Sequence, residues 1–155
     1  MDRGLNAENF KKFSAGIIVN TMLGKIVTFP IHGDDRGSLI ALENHKDYPF
    51  DVRRVYYIFG TVEGVRRGFH AHKHLQQILI CVSGSCMVHL DNGKGETEEI
   101  ALDNPQKGLY IANDLWREMY DFSPDAVLMV LASEFYDESD YIRDYQAFVK
   151  YVRGE

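Results

Sequence analysis

Turn-forming residues recur at short, regular intervals along this chain, and from Lys25 onward they leave room for strands and little else. Gly33-Asp34-Asp35, Asp47-Tyr48-Pro49, the stretch from Gly60 to Gly64, Ser83-Gly84-Ser85, Asp91-Asn92-Gly93 and Asn104-Pro105 supply left-handed φ, fixed φ or side-chain caps where a backbone reverses. Between them lie short runs of β-branched and aromatic residues, the pattern of an all-β sandwich or barrel. Strands are expected at 25–29, 37–42, 53–59, 67–72, 76–83, 85–90, 96–101, 108–111, 116–121 and 126–133. Asp91-Asn92-Gly93 between two such runs is a strong hairpin signal. Only the end has helical spacing: Tyr141, Tyr145, Phe148 and Val149 follow Ser139, which caps an expected helix over 139–149 that packs outside the barrel.

A chain of 155 residues suffices for one domain with a core around a pocket, and nothing in it requires a second. Residues 1–21 precede the strand pattern and read as an N-terminal extension of unassigned role, leaving 22–155 as the domain. The net charge of -6 argues against nucleic acid or an anionic membrane as partner, since either needs a basic face. Cys81 and Cys86 imply no disulfide framework and read as buried thiols of a reduced, cytoplasmic protein. The apolar run from Ala15 to Val19 is too short to span a bilayer and has no convincing small-residue cleavage site.

Chemistry concentrates in Arg67-Gly68-Phe69-His70-Ala71-His72-Lys73-His74. Alternate residues of a strand share a face, so His70, His72 and His74 point the same way, with successive imidazoles about 7 Å apart along the strand. Such a row serves either as metal ligands or as proton-transfer groups for a bound substrate. His74 falls at the strand's end and reads as a surface residue, and His32, His45 and His89 as ordinary loop or strand residues.

Short strands, a glycine-bounded His-x-His strand, the Ser83-Gly84-Ser85 turn and a second Pro/Gly-punctuated strand pair together resemble the cupin superfamily, whose fold is a small jelly-roll barrel. Cupins pair two metal-binding histidines with a glutamate and a third histidine. Here His70 and His72 match, Gln76 or Gln77 takes the glutamate position, and Arg117 stands where the third histidine is expected. A neutral amide and a guanidinium remove two ligands and set a permanent positive charge beside any cation, so no metal is expected.

Whole motifs carry a narrower resemblance. Asp35-Arg36-Gly37-Ser38-Leu39, Arg53-Arg54-Val55-Tyr56-Tyr57-Ile58, the run from Arg67 to Lys73, Gly108-Leu109-Tyr110-Ile111, Trp116-Arg117-Glu118-Met119 and the run from Leu131 to Glu138, followed by Tyr141-Ile142-Arg143, are similar to the nucleotide-sugar 3,4-ketoisomerases across residues 25–148. That family acts on dTDP-4-keto-6-deoxyglucose in making 3-amino-3,6-dideoxy sugars. The resemblance implies an isomerase without cofactor or metal: a base takes the proton from carbon 3, an enediol forms, and protonation at carbon 4 leaves the ketone at carbon 3.

It further implies His70 and His72 as the catalytic pair, with His70 the preferred proton acceptor, and Tyr57 and Arg117 holding the keto and hydroxyl oxygens. Arg36, Arg54 and Arg67 are the implied diphosphate ligands. Arg36 and Arg117 can equally pair with Asp35 and Glu118. Tyr56, Tyr110 and Trp116 are the candidate faces for thymine. A homodimer is implied through sheet pairing near 25–29. A 3,5-epimerase of the same substrate, a non-catalytic sugar-nucleotide-binding cupin and a metal-dependent cupin oxygenase remain as alternatives.

Overall fold

The computed structural model describes residues 16–155; what the sequence suggests for residues 1–15 lies outside the described residues. Strands β1 (Ile17–Asn20), β2 (Lys25–Thr28), β3 (His32–Asp34), β4 (Gly37–Leu39), β5 (Arg54–Ile58), β6 (Arg67–His72), β7 (Gln77–Ser83), β8 (Cys86–Asp91), β9 (Thr97–Leu102), β10 (Lys107–Ile111), β11 (Trp116–Tyr120), β12 (Val127–Ala132) and β13 (Tyr141–Ile142) precede the helix α1 (Tyr145–Arg153). They form a six-stranded sheet in the order β1-β2-β10-β7-β12-β5, a five-stranded sheet in the order β13-β6-β11-β8-β9, and a ribbon of β3 and β4. The chain is a jelly-roll barrel, all-β apart from its last helix, as its turn spacing predicts.

The core lies between the two sheets. Leu79, Leu109, Leu128 and Val130 from one face Val88, Leu90, Leu102 and Met119 from the other, and each fully buried aliphatic side chain contributes about 1.5–3 kcal/mol. Strand β7 is buried on both faces over Gln77–Cys81. Leu79 and Cys81 point into the barrel, whereas Ile78 and Ile80 join Val27, Tyr110 and Leu131 beneath Phe29, Tyr48 and Phe50. An apolar run without alternation is the sequence form of this two-sided burial. Cys81 and Cys86 are free and buried.

The helix begins at Tyr145, not after Ser139. The Asp137 carboxylate accepts from the Ser139 amide at 2.9 Å and confines residues 138–140 to a single 3-10 turn. Tyr141 and Ile142 then pair with His72 and Ala71 of β6, so strand pairing overrides their helical spacing. Asp144 is the actual cap, accepting from the Ala147 amide at 2.8 Å, and Gly154 ends the helix at φ 72°. Phe148 packs against Trp116, with ring centroids 5.8 Å apart, which fixes α1 to the outside of the five-stranded sheet. The helix also crosses the β8–β9 turn, where a Cβ at Gly93 would stand 2.6 Å from Val152 Cγ2.

The expected strand at 37–42 stops at Leu39 and pairs only with β3. Every residue of that ribbon is exposed. Strands β1, β3 and β13 are additions that the sequence pattern does not reveal.

Candidate active site

Strand β6 carries two left-handed residues in succession, Gly68 at φ 97° and Phe69 at φ 53°. There its pairing with β11 slips: Arg117 lies opposite His70, and Glu118 opposite Gly68. The extra residue makes a β-bulge. A Cβ at position 68 would stand 2.8 Å from the Arg117 carbonyl oxygen, so both conformation and space demand glycine. The bulge also changes which way the strand's side chains aim. Arg67 comes opposite Met119, a residue of the inner core, and therefore shares the inward wall with His70. In an unbroken strand Arg67 and His70 would face opposite sides.

The imidazoles of His70 and His72 meet edge to face, with centroids 4.8 Å apart. Tyr141 of β13 stands 5.0 Å from the first and 4.3 Å from the second. In front of His70 opens a cavity of about 470 Å³, walled by Arg54 and Tyr56 of β5, Arg67, Met119, Tyr141 and Arg143. His72 lies deeper, at 0% exposure, and Arg117 at 1%.

Hydrogen bonds fix the polar groups of this wall. His70 Nδ1 lies 3.0 Å from the Gly68 carbonyl oxygen, which can only accept, so Nδ1 carries the proton and Nε2 the lone pair. His72 Nδ1 lies 3.0 Å from Asp140 Oδ2. Arg117 donates to Gln77 Oε1 at 2.5 Å and to the Leu115 carbonyl at 2.9 Å. That orients the Gln77 amide, whose Nε2 donates to the Tyr56 hydroxyl at 2.9 Å. Tyr56 accepts this bond and keeps its own proton for another acceptor.

Arg54 Nε and Nη2, Arg117 Nε and His72 Nε2 are buried with no hydrogen-bond partner among the described residues. Buried polar groups are rarely left so. Guanidinium donors beside an imidazole lone pair complement a ligand rich in anionic oxygens and hydroxyls.

Burial, followed by the Arg117 charge, lowers the pKa of His70 to about 4. Burial, then the charges of Arg117, His70, Arg54 and Arg143, lowers that of His72 to about 2. Arg117 is itself lowered by burial, to about 10, and stays cationic at neutral pH. Burial raises Tyr56, which stays protonated. At pH 7 the site thus holds two neutral imidazoles in a cationic setting.

Of the residues singled out in the sequence, His70, His72, Arg54, Arg67 and Arg117 come together here. Tyr57 does not join the interior: it alternates to the outer face of β5, 63% exposed and beside Phe59, and reaches only the cavity rim, so Tyr56 is the inward phenol. Arg36 sits on the detached ribbon, paired with Asp34, not with Asp35. Glu118 pairs with Arg66 and not with Arg117, which lies on the opposite face of β11. Gln77 is the inward amide, whereas Gln76 accepts from Tyr110 on the other side of the sheet. Tyr110 and Trp116 are therefore no faces for a base: one lies in the outer core and the other under α1. His74 is exposed, as its place at the strand's end implies.

Sequence reasoning missed Tyr141, Arg143 and Asp140, because their spacing reads as helix. Among the described residues no three His, Cys, Asp or Glu side chains cluster as metal ligands. With Arg117 and Gln77 beside the two imidazoles, the residues present do not fit the divalent cation of other cupins.

A family model described as FdtA, WxcM-like, C-terminal matches residues 22–153. The chain belongs to this family. The TDP-4-oxo-6-deoxy-alpha-D-glucose-3,4-oxoisomerase of Aneurinibacillus thermoaerophilus is 53% identical over 131 residues, covering 84% of this chain and 94% of that protein. Among solved structures, a 3,4-ketoisomerase from Helicobacter canadensis superposes with a TM-score of 0.82 at 49% identity, over 86% of this chain and 99% of that one. A mutant of the 3,4-ketoisomerase QdtA from Thermoanaerobacterium thermosaccharolyticum, in complex with TDP-4-keto-6-deoxyglucose, gives 0.83 at 41% identity, over 87% and 97%. Each of these three relatives is named as a 3,4-ketoisomerase or 3,4-oxoisomerase.

Proposed function

We propose that this chain is a 3,4-ketoisomerase of TDP-4-keto-6-deoxyglucose, working by histidine acid–base catalysis without a metal. The observation that carries the reading is the pair of neutral imidazoles 4.8 Å apart, of which His70 lines a cavity whose other polar groups are guanidiniums and phenols and His72 lies buried behind it. The 53% identical relative is named for the same conversion.

Two protons move in the net reaction: one from carbon 3 to carbon 4, and one from the carbon 3 hydroxyl to the carbon 4 oxygen. In this reading His70 Nε2 removes the proton from carbon 3, which the neighbouring ketone acidifies. The electron pair forms the C3–C4 double bond and the charge moves to the carbon 4 oxygen, where Arg117 and the Tyr56 hydroxyl stabilise it. His72 is the partner that handles the second proton. Delivery to carbon 4 returns His70 to its neutral form and leaves the ketone at carbon 3, with no electron lost or gained. Arg54 and Arg67 are assigned to the diphosphate, and Tyr57 to the rim. A 3-keto product is the acceptor an amino-transfer step requires, which suits a place in 3-amino-3,6-dideoxy sugar synthesis.

The catalytic unit is assigned to residues 22–155, with 1–21 as an extension. We also infer a homodimer. An isolated two-stranded ribbon is marginal in water, and among the described residues β1 and β5 are the edge strands of their sheet. A second copy that covered β3 and β4 would be the route by which Arg36 reaches a substrate. No helix among the described residues is long and apolar enough to cross a membrane. A cytoplasmic location is assigned from the nucleotide sugar and the free thiols.

The test is carbon NMR of the product from TDP-4-keto-6-deoxyglucose. A carbonyl at carbon 3 supports the proposal. A carbonyl that stays at carbon 4 with inverted neighbouring centres makes the chain an epimerase, and binding without turnover makes it a non-catalytic module.

A further inference from the structure

Asp140 closes the 3-10 turn that follows β12, and its carboxylate, 10% exposed, faces the end of β6. Oδ1 accepts from the His74 amide at 2.8 Å; Oδ2 faces the Leu75 amide at 3.3 Å and His72 Nδ1 at 3.0 Å. The Asp140 carbonyl accepts from the Lys73 amide at 3.0 Å, so the residue is tied to residues 73–75 by backbone and side chain alike. Backbone amides can only donate, so both carboxylate oxygens of Asp140 act as acceptors. His72 must then present Nδ1–H to it. The lone pair falls on Nε2, the buried atom that lacks a partner among the described residues.

We propose that Asp140 is a positioning residue for His72: it fixes the Nδ1–H tautomer and so makes Nε2 the acceptor for the proton of the carbon 3 hydroxyl. That proton leaves oxygen 3 as its ketone forms and is returned to oxygen 4, so His72 is neutral before and after turnover. The other tautomer carries a hydrogen on Nε2 and cannot take it. The inference rests on the ketoisomerase reading, in which His70 moves the carbon-bound proton and His72 the oxygen-bound one, and adds to it the group that sets the tautomer of His72. The two imidazoles are held alike at Nδ1 but by different groups, His70 by the neutral Gly68 carbonyl and His72 by a carboxylate.

The test is Asp140→Asn. The His74 amide claims the one oxygen of asparagine, its NH₂ then faces His72 Nδ1, and the hydrogen of His72 is forced to Nε2. Nitrogen NMR of ¹⁵N-histidine-labelled protein is expected to show His72 passing from the Nδ1–H to the Nε2–H form. With it kcat should fall about 10²- to 10⁴-fold, while KM changes little, and Asp140→Glu should restore the native tautomer and part of kcat. A variant that keeps Nδ1–H, or that switches tautomer at unchanged kcat, overturns the inference. Should Asp140→Asn not fold, a wild-type His72 found as Nε2–H overturns it as well. Wild-type protein with the Nδ1–H form but no isomerisation would defeat the ketoisomerase reading and leave the tautomer assignment standing.

Discussion

The ring of His70 stands edge-on to that of His72, at an interplanar angle of 85° and a centroid separation of 4.8 Å, closer than the strand's rise alone provides. Two imidazoles at this distance, flanked by Arg117, cannot both be charged at little cost. The pair therefore works from the neutral state. His70→Asn removes the lone pair that takes the carbon-bound proton and is expected to lower kcat about 10²- to 10⁴-fold, the usual weight of a general base. Steady-state kinetics check this, and turnover within threefold of wild type would exclude His70 as the base.

The acid limb of activity follows from the same environment. His70 sits at about 4, against 6.5 for an unperturbed histidine, because burial and Arg117 disfavour its cation. The pH profile of kcat/KM, which reports the free enzyme, should stay level through pH 6.5 and fall only nearer pH 4. An acid limb centred at or above 6.5 would contradict this.

Stability should share that direction. Both imidazoles are harder to protonate when folded than when unfolded, so the unfolded chain takes up protons first as pH falls below 6.5. Their contribution is complete above pH 6.5 and declines from there toward pH 4. The urea midpoint should drop between pH 6.5 and 5, and His72→Asn should flatten that slope. A midpoint independent of pH in this window would count against the buried neutral pair.

Tyr56 is held by Gln77, which is held by Arg117. Tyr56→Phe removes a donor from the developing enediolate and also leaves Gln77 Nε2 without its acceptor. The expected result is a kcat lower by about 10²- to 10³-fold, with a loss of about 1–3 kcal/mol in stability for the unpaired amide. Kinetics and denaturant unfolding on one sample separate the two effects. Stability lost with kcat unchanged would make the tyrosine structural.

Arg36 lies on the exposed ribbon, with its side chain at 86% exposure. If a second copy brings it to a substrate, Arg36→Ala should melt like wild type, remain dimeric by sedimentation, and show a raised KM or lowered kcat. Unchanged kinetics, or a monomeric wild-type protein, would remove Arg36 from the site.

Much of this architecture is legible in the sequence because turns and alternation are local. The strand ends of the barrel fall within a residue or two of where glycine, proline and asparagine put them. What stayed hidden is non-local. Tyr141 and Ile142 have helical spacing relative to Tyr145 and Phe148, and only pairing with β6 makes them a strand. Tyr56 and Tyr57 are indistinguishable until the face of β5 that meets the barrel is known. The bulge at Gly68 and Phe69 could not be foreseen without β11, although the glycine hinted at it, and it alone gives Arg67 a place beside His70. Asp140 meets His72 across 68 residues, beyond the reach of any local motif.

The central claim, that His70 takes the proton from carbon 3 and, after its imidazolium has exchanged with solvent, returns one to carbon 4, is tested most directly by turnover of TDP-4-keto-6-deoxyglucose in deuterated water followed by proton and carbon NMR. The wild-type product should carry its carbonyl at carbon 3 and deuterium at carbon 4, and His70→Asn should give neither. A carbonyl that stays at carbon 4, or an undiminished yield of deuterated 3-keto product from His70→Asn, would contradict it.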